Sequence, residues 1–296
     1  MFFSPKYRLI LFFGVVFLGA IVIGPILYFA LHSFAPIPFH RAMDRALILS
    51  AVAALGLFWP SISIRRLWPL QRRAWIDLAL GYLIALVSAQ AMIGLDLAFC
   101  GFTSSHLDGR HLEMRISMSV LAAFLIPPLE ETVFRGFILL ELARGPGRRW
   151  GCVVAAGIFM LAHFLKIPES LDRSPIHFWS GAAALGAAFL PVLHGSFLGG
   201  RGMNLFLIGL ILGGVFLRAG SLWIGAGLHS GWILALLLFS GLTRPITPPF
   251  VAALSSGDLL SSPLTSLVLI LVSAWLWRFY PPRSGAPAPG ANARST

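Results

Sequence analysis

The feature that most limits how this chain can fold is a series of apolar runs, each long enough to cross a bilayer. About 20 apolar residues match the hydrocarbon thickness when helical. Within lipid every backbone N–H and C=O must be bonded inside the protein, so only helices and closed barrels span. Barrel strands are roughly half as long as these runs. Charge is sparse as well: 11% of residues are charged, against roughly 25% in soluble domains. Mean hydropathy is +0.85. The sequence therefore predicts an all-α integral membrane protein.

Eight spans are expected, at 9–31, 46–64, 76–99, 114 into the glutamates at 130 and 131, 150–166, 204–217, 222–242 and 264–280. The first follows a short basic start but is too long for a signal-peptide core, so it reads as retained. Residues 101–113 read as a polar loop. Pro127 and Pro128 should kink or break the fourth span and free backbone groups beside the carboxylates. Residues 144–149 read as a stop and a turn. Residues 167–203 open polar and carry an apolar stretch, 178–193, that is short for a span and suits a re-entrant or interfacial helix. The organisation expected is one polytopic domain over 1–280. The Pro/Gly/Ala-rich tail, 281–296, is expected to be disordered.

Net charge is +11. With no nucleic-acid motif beside it, that excess reports topology and contact with anionic lipid. With the N-terminus inside, the inner segments hold 14 of the 22 Lys and Arg. Both termini are thus expected in the cytoplasm, with the protein in a bacterial inner membrane. Cys100 and Cys152 lie far apart and suggest neither a disulfide framework nor a cysteine metal site. Oligomeric state is not legible.

Against this apolar background the stretch PPLEETVFRGFILLELAR, 127–144, stands out. Glu131 and Arg135 share a helix face at i, i+4 and can pair. Glu130 lies about 100° round the helix and is free to point inward. The bland reading is a charge cluster that merely ends a span. Phe159 and His163 share a face in FMLAH, and His229 lies in GAGLHSGW. A lone intramembrane His is ordinarily a helix–helix hydrogen-bond partner. Depth argues for more: Glu130 and His163 both fall roughly 20 Å from the same inner loop at about 1.5 Å per residue, with His229 somewhat nearer. One carboxylate and two imidazoles could converge on an internal polar cavity open to the inner side. They could activate water directly, with Glu130 as general base, or hold zinc through Glu130, His163 and His229. A proton relay in a transporter is the non-enzymatic competitor, but the inverted repeats that would mark it are not seen.

These residues carry a resemblance. EETVFR matches an EExxxR motif, FMLAH an FxxxH motif, and GLHSGW the start of an HxxxN motif. The three, in order over about 112–240, resemble the CPBP family of CAAX proteases and bacteriocin-processing enzymes, also called the Abi family. The resemblance implies an eight-helix intramembrane endopeptidase with a CAAX-protease-like bundle. It implies that Glu130 and His163 activate the attacking water, that Glu131 and Arg135 support the site, and that His229 with a following Asn binds the oxyanion. Phe134 and Phe159 are expected to line the substrate cavity. No cofactor is expected under this glutamate mechanism, with zinc as the alternative. The geometry expected without metal is loose, with Glu130 near His163 and His229 farther off across the cleft. The partners expected are the lipid bilayer and a membrane-tethered protein or peptide, not necessarily prenylated. The sequence departs from the family pattern at Ile233, which stands where the Asn belongs and cannot donate a hydrogen bond. Ser230, Asn204 and His194 are candidate substitutes. The alternative is an impaired member acting in bacteriocin self-immunity or as a membrane scaffold. Residues 164–203 look expanded relative to the family, as a lid, a substrate-selecting element or a harmless insertion.

Overall fold

A computed structural model describes residues 5–32, 34, 37–58, 64–99, 101–104, 109–145, 147–246 and 258–282. Its helices are α1 (Pro5–His32), α2 (Phe39–Phe58), α3 (Ile64–Leu67), α4 (Arg72–Phe99), α5 (Gly109–Glu131) and α6 (Leu140–Ala143). They continue as α7 (Arg148–Ala162), α8 (Ser180–Ala188), α9 (Leu190–Leu193), α10 (Gly200–Ala219), α11 (Trp223–Leu242) and α12 (Pro263–Phe279). Two short strands, β1 (Gly101–Ser104) and β2 (Thr243–Ile246), pair antiparallel with Gly101 opposite Ile246.

Among the described residues six helical runs are long and apolar enough to cross a membrane: Lys6–His32, Arg72–Phe99, Gly109–Ala143, Ser180–Leu198, Gly200–Ala219 and Trp223–Leu242. The chain is an all-α integral membrane protein, and its outer surface agrees. Leu121, Phe124 and Leu125 on α5 are exposed, as side chains facing lipid rather than water would be. The expected count of eight is not reached by length and composition. α2 carries Arg41, Asp44 and Arg45 in its first turns, and charge is costly at depth. α12 has only 17 residues. α7 has 15 and stops at Ala162, not at the expected 166. Conversely, Ser180–Leu198 is long enough once α8, α9 and the short helical turn Ser196–Leu198 are taken together. Two local expectations also change. Within the expected loop 101–113, Gly101–Ser104 form a strand and α5 begins at Gly109, and α5 runs unbroken through Pro127 and Pro128. Residues 283–296, where most of the disordered tail is expected, lie outside the described residues.

The chain forms two compact units. The smaller comprises Met1–Ser63 and Met160–Phe197. In it α1 lies along α2, and α8 packs on both. Its core joins Phe39, Met43, Ile167, Ala184 and Ala188. The start of α2 is tied to the short helical turn Glu169–Arg173: Asp172 accepts from the His40 backbone N–H at 3.0 Å and meets its ring Nδ1 at 2.5 Å.

The larger unit comprises Ile64–Phe159 and Leu198–Thr296. Its main packing is α11 on α4. A Cβ on Gly81 would stand 2.3 Å from the Ile224 carbonyl oxygen, and one on Gly227 would stand 2.2 Å from that of Leu78. Only glycine permits so close an approach, the small-residue packing by which apolar helices associate in lipid. On α10, Asn204 is fully buried. Its amide donates to the Leu260 and Ser262 carbonyls at 2.8 and 2.9 Å and accepts from the Ser266 hydroxyl at 2.6 Å, locking α10 to α12. α12 starts on a Ser262 cap, whose hydroxyl accepts from the Leu264 N–H, with Pro263 at the first helical position, where its missing N–H is harmless.

Candidate active site

Glu130 and Glu131 end α5, and the helix then widens into a π-helical segment, Thr132–Leu139. Pro127 and Pro128 bring no N–H to the ladder, and π turns are frequent at functional sites. The Thr132 hydroxyl donates to the Pro128 carbonyl at 2.7 Å and accepts from the Trp68 indole N–H at 3.1 Å. The segment is thus pinned where the two carboxylates emerge.

Arg135 projects from this π segment onto Glu131. Its Nη1 donates to Glu131 Oε1 at 3.0 Å, and its Nη2 reaches the Gly209 carbonyl on α10 at 3.4 Å. The guanidinium carbon lies 4.5 Å from the Phe159 ring centroid and 5.9 Å from that of Phe134. The two rings meet edge to face at 5.1 Å. Phe159 is 1% exposed and Phe134 half-buried, so both seat the guanidinium.

His229 comes from α11. Gly227 and Gly231 hold that helix against α4, which leaves Gly225, His229 and Ile233, each one turn apart, on another face. A Cβ on Gly225 would lie 3.1 Å from Glu131 Oε2, so this face meets the end of α5. His229 Nδ1 lies 3.0 Å from Glu131 Oε1, and its Nε2 lies 3.7 Å from Glu130 Oε2. A carboxylate only accepts, so Nδ1 donates to Glu131 and Nε2 is turned towards Glu130. The 3.7 Å separation is too long for a hydrogen bond. Glu131 is 0% exposed, Arg135 2% and His229 4%, whereas the Glu130 side chain is 26% exposed. Three members are therefore fixed in the interior and the fourth is partly exposed, with its Oε2 buried. Glu130 Oε2 has no hydrogen-bond partner among the described residues.

The structure thus brings together Glu130, Glu131, Arg135 and His229, with Phe134 and Phe159 around the arginine. The expectation that His229 stands off across a cleft is overturned, because α11 approaches closely enough for its imidazole to touch both glutamates. His163 belongs to the smaller unit. It is exposed and lies one residue past the end of α7, its N–H donating to the Met160 carbonyl at 3.1 Å. Ile233 is half-buried. Of the candidate substitutes for the missing donor, Asn204 has its amide committed to α12, His194 is exposed in the smaller unit, and Ser230 is buried on α11. Sequence reasoning missed the bond from His229 to Glu131 and the π segment. The small residues flanking His229 are the signal that could have found the former.

Zinc fits poorly. Among the described residues no three His, Cys, Asp or Glu side chains are grouped to hold an ion. Glu131 Oε1 is already shared between Arg135 and His229.

Fold and site together define a helical integral membrane protein with a carboxylate–guanidinium–imidazole cluster between helices. Residues 112–235 match the family model of type II CAAX prenyl endopeptidase Rce1-like proteins. The likeness to the CAAX-protease family read from three motifs is borne out over that stretch, which contains all three. A comparison with curated proteins finds no match.

Proposed function

We propose that the protein is an intramembrane endopeptidase that hydrolyses a peptide bond of a membrane-associated substrate, with Glu130 as the general base. The observation that carries this reading is the half-buried Glu130 carboxylate, whose Oε2 has no hydrogen-bond partner among the described residues and lies 3.7 Å from the Nε2 of a rigidly held imidazole, His229. Glu130 takes a proton from water as the water oxygen attacks the scissile carbonyl carbon. The C–O bond forms and the carbonyl electron pair moves onto its oxygen. His229, oriented through Nδ1 by Glu131, donates a hydrogen bond from Nε2 to that oxygen. Glu130 then returns its proton to the leaving nitrogen as the C–N bond breaks, giving a carboxylic acid and an amine. Arg135 keeps Glu131 in place and does not touch substrate. No step requires a metal ion.

The resemblance gives His163 a share in activating the water, and loss of such a group costs about 10²–10⁴-fold. The test is product mass spectrometry on a membrane-tethered reporter peptide. Glu130→Gln should abolish cleavage with its melting transition intact, and His163→Ala should slow it by that factor. Undiminished cleavage by folded Glu130→Gln would sink the assignment.

Ile233 supports a second reading, an impaired family member acting in self-immunity or as a membrane scaffold. A cellular phenotype that survives in both Glu130→Gln and His163→Ala would favour it.

A further inference from the structure

Within the larger unit, α7 begins where α10 and α12 end, and three arginines gather there around a groove of about 540 Å³. Arg148 and Arg149 open α7, and Arg218 lies in the last turn of α10. Farther along the same helices the lining turns apolar, through Val153, Leu210 and Gly214. The groove therefore has a cationic end and an apolar length.

Arg148 and Arg218 are held in place without being neutralised. Arg218 donates from Nε to the Tyr280 carbonyl at 2.8 Å and from Nη2 to that of Trp277 at 3.0 Å, with its guanidinium 4.2 Å above the Trp277 ring. Arg148 donates to the Leu217 carbonyl at 2.6 Å. These partners are neutral. Among the described residues none of the three arginines has a carboxylate partner. Glu141, the acid nearest in sequence, is paired with Arg144. The chain from 280 to 296 contains no Asp or Glu. The free N–H groups of the first turn of α7 add positive potential at the same place.

A free inorganic anion would satisfy the cationic end and leave the apolar length unused. An apolar segment would do the reverse. We propose that this groove binds an anionic glycerophospholipid, with its phosphate among Arg148, Arg149 and Arg218 and an acyl chain along α10 past Gly214. The proposal is independent of catalysis. It commits to lipid because the groove lies on apolar helices at their charged ends, where a bilayer presents its headgroups.

Each basic residue near an anionic headgroup is worth about fivefold in affinity. The test is native mass spectrometry of the delipidated full chain, titrated with phosphatidylglycerol and with phosphatidylethanolamine of matched chains. Phosphatidylglycerol should bind at least about tenfold tighter. Arg149→Gln, which removes no hydrogen bond of the fold, should weaken it about fivefold, and Arg149→Lys should restore it. Gly214→Phe adds bulk where a Cβ meets nothing within 4 Å; it should weaken binding with the charges unchanged. Equal affinity for the two lipids, or no loss in either Arg149→Gln or Gly214→Phe, overturns the proposal. Full displacement of phosphatidylglycerol by inorganic phosphate would mark a free-anion site and overturn it too.

Discussion

Replacing Arg135 with methionine keeps much of the side chain's length and removes its charge. The Glu131 carboxylate would then stay fully buried with His229 as its remaining partner. Breaking a buried ion pair by deleting one partner costs about 3–5 kcal/mol. The cation–π contact with Phe159, at 4.5 Å, adds about 2 kcal/mol for a desolvated pair. The retained bond from His229 offsets about 1.5–3 kcal/mol, as hydrogen bonds to charged groups do. The 3.4 Å contact with Gly209 is too long to add much. The expected net loss is about 3 kcal/mol, or more than 10²-fold in the folded population. The assay is reversible unfolding in mixed micelles, titrated with SDS and followed by tryptophan fluorescence. Glu131→Gln combined with Arg135→Met leaves no unpaired ion and should recover most of the loss. A single variant within about 0.5 kcal/mol of the parent, the range of an ordinary surface change, would refute the reasoning. So would a double variant no more stable than the single.

Gly227→Ala puts a methyl group 2.2 Å from the Leu78 carbonyl oxygen; the overpacking should cost about 1–3 kcal/mol in the same unfolding assay, and an unchanged midpoint would contradict it. Ile233→Asn returns an amide donor to the helix face that carries His229 and should raise kcat about 10²-fold or more on a cleavable reporter; an unchanged rate would mean that position 233 is not where the donor is missing. Burial pushes the Asp172 carboxyl up, but its hydrogen bonds with His40 outweigh that and hold it below its ordinary 3.8. A carboxylate so depressed stabilises above the unfolded value and loses that contribution as pH falls through the folded one, so hydrogen exchange at Glu169–Arg173 should quicken below about pH 4, and flat protection into that range would refute the link.

The helices were legible where length alone decides them, because a run that matches the hydrocarbon must satisfy its backbone internally. Their ends were not. Phe164 and Leu165 continue the apolar text, yet beyond Ala162 the backbone tightens into i→i−3 bonds, with His163, Phe164 and Leu165 donating to Met160, Leu161 and Ala162. Pro168 follows, disfavouring helix just before it, and hydropathy gives no hint of that tightening. Within the site the split runs between local and distant contacts. Glu131 with Arg135 could be read from a four-residue spacing. Glu131 with His229 could not, because 98 residues separate them and only the packing of α11 decides the meeting. Even so, the packing code was present in the letters. Gly227 and Gly231 bracket His229 and sit against α4, while Gly225 clears space beside Glu131. The spacing that sends one pair of glycines to α4 turns Gly225 and His229 to the glutamates. The residues that let α11 associate in lipid are thus the ones that aim its imidazole. A bulky substitution on that stripe should disturb stability and the site together.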